Sequence, residues 1–219
     1  MSAKKGLSQN EEKTIHHGVC VELEHVMMAG HDTAYQACEK VLKEKDIELT
    51  PSLFAGYCFE RRPAEGVAEL LRRVGRERLS DAKLAADIQN AIQAAFAESA
   101  EDPASPIVRL LTSGFRGFEV SFGAVSLLDT ETADASIAQW GLSEPLSAVT
   151  SFADEGSLTP GVDAWRAISR SMRVAPELCV AVATSASSCK AALAAGMNCI
   201  ALPSKYTDYQ DFGGCDAVV

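Results

Sequence analysis

Short apolar runs that alternate with helical stretches constrain this chain more than any other feature. Gly18 to Leu23, Phe118 to Ser126, Ala148 to Phe152, Cys179 to Ser185 and Asn198 to Pro203 are rich in Val, Ile, Phe, Ala or Cys and bounded by turn residues, as buried strands are. Between the later runs lie stretches with helix punctuation. Pro106 opens Ile107 to Ser113 and Gly114 closes it, Thr130 to Trp140 ends at Gly141, Pro160 precedes Val162 to Met172, and Ser185 caps Ala186 to Ala195 before Gly196. Proline at the start and glycine just past the end suit the orphan amides and carbonyls of helix termini. Apolar strands joined by helices predict an α/β fold: a three-layer, doubly wound, mainly parallel sheet covered on both faces. Right-handed crossovers then place ligands at the carboxyl ends of the strands.

The stretch from Gly30 to Ser99 interrupts this rhythm. Its pattern is helical over Asp32 to Lys45, Pro51 to Tyr57, Pro63 to Val74 and Asp81 to Glu98, with apolar stripes such as Ala34, Ala37, Cys38, Val41 and Leu42. A helical insert after the first strand of such a sheet is expected to cap its working edge. The predicted organisation is an α/β core from 14–29 and 100–219, a helical cap from 30–99, and a flexible tail over 1–13.

Charge and cysteine usage exclude several functions. With 20 basic against 30 acidic residues the formal charge is −10. Such a surface repels nucleic acid and anionic lipid, which need clustered Lys and Arg. No run approaches a membrane span, and the polar start lacks the apolar centre of a signal peptide. Seven scattered cysteines without a C-x-x-C pair indicate reduced thiols and no zinc knuckle. The chain is therefore expected to be cytoplasmic, as a monomer or homodimer.

Chemistry is first expected at Glu22 and Glu24. If the strand continues through them, residues two apart share a face, and the pair could bind a cation or act as acid and base. If the strand has ended, both are solvated turn residues. Val21-Glu22-Leu23-Glu24-His25-Val26, followed by Gly30-His31-Asp32 and a helix, resembles the first motif of haloacid dehalogenase-like hydrolases, in particular the phosphatase and phosphoglucomutase subgroup with a helical cap. The later segments Gly123-Ala124-Val125-Ser126, Thr159-Pro160-Gly161, Val182-Ala183-Thr184-Ser185 and Ala194-Ala195-Gly196-Met197 resemble the family's further motifs, in the right order.

The resemblance implies roles and also shows what is missing. In the family an Asp at the position of Glu22 attacks phosphorus and binds magnesium. A second Asp, the acid–base group, falls on Glu24, and the Gly after it on His25. The motif Lys falls on Thr159 and the magnesium-binding acid on Thr184, whereas Ser126 keeps the hydroxyl that hydrogen-bonds phosphate. A Glu carboxylate sits about 1.5 Å farther from its backbone than Asp, and a misplacement of about 1 Å can cost about a hundredfold in rate. Replacing a carboxylate by a hydroxyl and losing the Lys removes the charges that hold magnesium and stabilise phosphoryl transfer.

The expected function is thus a catalytically impaired relative that turns over phosphate esters poorly and takes a small phosphorylated or anionic molecule near Ser126. The magnesium site of Glu22, Glu24 and Thr184 is expected to be weak or absent. The alternative is an active magnesium-dependent phosphoester hydrolase using Glu22 and Glu24 in place of the aspartates; a self-associating scaffold is a third reading. His16, His17, His25 and His31 are read as scattered polar residues, Lys205 as a flexible surface lysine, and Asp208, Asp211 and Asp216 as turn residues.

Overall fold

The run around Val19 forms a strand because its residues are buried on both faces, where β-branched and small apolar side chains pack well. In the computed structural model, which describes residues 16–59, 61, 63–98, 120–139, 142–143 and 146–219, this strand is β1 (His17–Glu22). The others are β2 (Val120–Ser126), β3 (Ala148–Ser151), β4 (Cys179–Ala183), β5 (Asn198–Ala201) and β6 (Ala217–Val218). They form one sheet in the order β3-β2-β1-β4-β5-β6, and every neighbouring pair is parallel. The winding reverses between β1 and β4, which makes the crevice between their carboxyl ends the topological switch point. The two-residue β6 extends the five expected strands by one.

The helices are α1 (Leu23–Met27), α2 (Gly30–Lys43), α3 (Pro51–Leu53), α4 (Pro63–Arg73), α5 (Asp81–Ala97), α6 (Thr130–Gln139), α7 (Val162–Met172) and α8 (Ala186–Ala194). A π-helical segment over Phe54–Phe59 follows α3, where an ordinary helix was expected. Helices α7 and α8 lie against β1 to β3 and against β4 and β5, respectively. Between β1 and β2 the described chain is helical: α2 packs on α5 and α5 on α4, forming the inserted cap.

Helix α1 bears out the reading in which the strand ends before Glu24, but both glutamates are buried rather than solvated. The strand ends at Glu22, and Leu23 starts a helical turn whose five residues are all buried. Gly30 allows α2 to pack directly on this turn, since a Cβ there would lie 2.4 Å from the Glu24 carbonyl oxygen and 2.6 Å from His25 Nδ1. The expected helix over Ile107 to Ser113, Phe115, Phe118, Trp140, Gly141 and the N-terminal tail lie outside the described residues. Among the described residues no helix is long and apolar enough to cross a membrane.

Candidate functional site

Glu22 comes to the switch point because β1 ends there, and Thr184 meets it because β4 ends alongside in register. Thr184 Oγ1 donates to Glu22 Oε2 at 2.5 Å, and its backbone N–H donates to Oε1 at 3.2 Å. Because that hydroxyl proton is committed to the carboxylate, His31 Nε2, 3.3 Å from Thr184 Oγ1, must carry a proton and donate. The Thr184 carbonyl accepts in turn from Thr207 Oγ1 at 2.8 Å.

Glu24, on the first turn of α1, faces the end of β2. Ser126 Oγ donates to Glu24 Oε1 at 2.5 Å, the Leu127 amide donates to Oε2 at 3.2 Å, and the Leu128 amide donates into Ser126 Oγ at 3.1 Å. Glu22, Glu24, Ser126 and Thr184 are each at most 1% exposed. Two carboxylates so buried must be satisfied by donors inside the protein, and these hydroxyls and amides supply them. Burial pushes Glu24 up to about 7, against the opposing hydrogen bond from Ser126.

Two histidines close the edge. His25 and His31 stack with ring centroids 4.5 Å apart, and both meet Phe59 edge-on at 5.4 and 4.6 Å. Phe96 of α5 lies edge-on to His25 at 6.1 Å. The reading of the four histidines as scattered is therefore corrected for this pair. His16 and His17 stand at the other end of β1, where both are exposed and His16 meets Ser121. Burial lowers His25, although the charge of Glu22 opposes it, and burial with His25 as neighbour takes His31 down to about 2. Both rings are neutral packing elements. His25 Nε2 donates to the Leu158 carbonyl at 3.1 Å, leaving its buried Nδ1 without a partner.

Thr159 is not brought to the carboxylates by a hydrogen bond; its hydroxyl lies 3.3 Å from Ser157 Oγ. It lines an open cleft of about 680 Å³ between cap and core, with Arg61, Glu65, Asp154, Glu155 and Asp163 also on its walls. Four carboxylates face one guanidinium there, and Arg61 is already paired with Glu69. Lys205, expected to be free, instead bonds Asp32 of α2 at 2.6 Å, and Tyr206 OH donates to the same carboxyl oxygen at 2.9 Å. Asp211 and Asp216 accept from the amides of Gly213 and Cys199, as turn residues do.

Magnesium demands near-octahedral oxygens and keeps several waters. Here the converging groups are one carboxylate already accepting two hydrogen bonds, a second held protonated to near neutrality, and two hydroxyls that donate to them. The residues present do not fit the ion. Ser126 is fully buried and its hydroxyl donates to Glu24.

The chain shares its fold with solved structures of haloacid dehalogenase-like proteins. Among solved structures, the chain superposes on CbbY from Rhodobacter sphaeroides in complex with phosphate with a TM-score of 0.71 at 19% identity, covering 94% of both chains. β-Phosphoglucomutase from Clostridium difficile gives 0.72 at 14% identity, over 94% of this chain and 91% of that one. A haloacid dehalogenase-family hydrolase from Deinococcus radiodurans with bound phosphate and sodium gives 0.64 at 18%, over 93% and 90%. No family model matches the chain. No curated protein matches it in sequence either.

Reading the sequence missed the part played by His25, His31, Phe59 and Phe96. One signal was present: His25 stands where the resembling motif has Gly, and a ring there must occupy space that a glycine leaves open.

Proposed function

We propose that this chain is a catalytically impaired protein on a hydrolase fold, in which the edge that could carry chemistry serves as a sealed joint between cap and core. The observation that carries this reading is the pairing of Glu22 with Thr184 and Glu24 with Ser126, at no more than 1% exposure, beneath the His25–His31 stack. To attack phosphorus or hold a cation, Glu22 must give up two buried hydrogen bonds. Bonds to a charged group contribute roughly 1.5–3 kcal/mol each, and the opened site would still lack the cation that the resemblance places at Thr159. Phosphate binding is expected to be weak, because four carboxylates of the open cleft stand against one guanidinium.

One observation favours the alternative of a working hydrolase. Glu24, raised to about 7, has the proton affinity a general acid needs near neutrality. Its burial weighs against that use.

The test is turnover of a phosphate-ester panel by the purified chain with magnesium, beside Glu22→Gln. Equal, background-level rates are expected. Magnesium-dependent hydrolysis that Glu22→Gln abolishes would establish the alternative.

A further inference from the structure

Three cysteines far apart in the sequence meet where α8, β5 and the turn before β6 come together. Cys189 lies on α8, Cys199 on β5 and Cys215 on the turn before β6, and their sulfurs all lie within 4.8 Å of one another. We propose that they form a trithiolate site for a closed-shell, thiophilic cation, zinc or cuprous copper. Soft thiolates select these ions over hard ones. Metal–sulfur bonds of about 2.3 Å in a trigonal arrangement require sulfurs about 4 Å apart, so small side-chain rotations bring the three thiols into bonding range.

The backbone holds all three positions. Cys189 N–H donates to the Ser185 carbonyl at 2.9 Å within the capped start of α8. Cys199 is clamped by Asp216, whose carboxylate accepts from its N–H and whose own N–H donates to its carbonyl, both at 2.8 Å. The turn carrying Cys215 is closed by its N–H to the Phe212 carbonyl at 3.1 Å and by Gly213 N–H to Asp211 Oδ1 at 2.9 Å. Gly214 has φ of +97°, a conformation only glycine adopts freely, and this turns Cys215 back toward β5. Cys189 and Cys199 are buried, while Cys215 is partly exposed and gives an ion its route of entry.

Thiolate ligands must be deprotonated, so binding releases thiol protons and weakens as pH falls.

The experiment uses the full chain, reduced and stripped of metal, titrated in one arm with cobalt(II) as the spectroscopic stand-in for zinc and in the other with cuprous ion against a competing chelator. One ion per chain with a sulfur-to-metal charge-transfer band is expected in at least one arm, and the arm that responds identifies the ion. Cys215→Ser, at the most exposed of the three positions, should weaken binding by about tenfold or more, as even indirect support of a metal ligand is worth that much. Cys38→Ser, in the cap, should leave binding unchanged. No band in either arm, or Cys215→Ser binding as tightly as the parent, overturns the proposal.

Discussion

The carboxyl end of β1 and the cleft beside Thr159 are joined through the His25–Leu158 hydrogen bond, yet they differ in everything chemistry needs. The first holds paired carboxylates and hydroxyls but excludes solvent behind His25, His31, Phe59 and Phe96. The second is open and roomy, but it carries four carboxylates and its one guanidinium is committed to Glu69. Reactive groups and accessible space have been separated.

The strongest challenge to this contrast is Phe59→Ala, which removes a fully buried ring from over both histidines. It should destabilise the chain by about 3–5 kcal/mol in urea unfolding. A loss below about 1 kcal/mol would show that the aromatic cover is not structural.

A more discriminating measurement compares the parent with Glu24→Gln across pH. Glu24 is raised from its ordinary 4.5 to about 7, so its protonated form stabilises the fold below the unfolded carboxylate range, and that contribution is lost as pH rises through about 7. His25 and His31 are lowered from 6.5, so their contribution is present above 6.5 and lost as pH falls below it. Gln mimics the neutral carboxyl. Its stability relative to the parent should therefore be most favourable near pH 8 and decline by on the order of 1–3 kcal/mol toward about pH 5. Unfolding midpoints that shift in parallel would mean Glu24 is ionised in the fold.

The smallest effect is expected where cap and core meet at the surface. Lys205→Ala breaks the bond to Asp32, whose carboxyl that lysine holds below its usual range. The pair is about half exposed, so the thermal midpoint should reveal a loss of no more than about 1 kcal/mol. A larger loss would make the latch, rather than the aromatic cover, the main hold on the cap.

Much of the framework was legible. Pro160 and Gly161 mark the start of α7, and its expected range, Val162 to Met172, is the observed one. The five expected strands all occur, with ends shifted by up to two residues in the described chain. The edge was less legible. Val19 to Glu24 left open whether the strand continues; it ends at Glu22, and Leu23, Val26 and Met27 are buried from a helical turn that packs on β1, β2 and α2. The partnership of His25 with His31, six residues apart, depends likewise on how closely α2 follows α1, which Gly30 permits.

Local pattern alone was enough to indicate a parallel sheet with a helical insert, because strand burial and helix punctuation are read within a few neighbours. Whether Glu22 and Glu24 meet water or hydroxyls, and whether three distant cysteines touch, was settled by packing between strands β1, β2, β4 and β5. Burial and hydrogen-bond partnership belong to pairs of residues such as Glu22 and Thr184, 162 positions apart, and no short stretch of sequence encodes them.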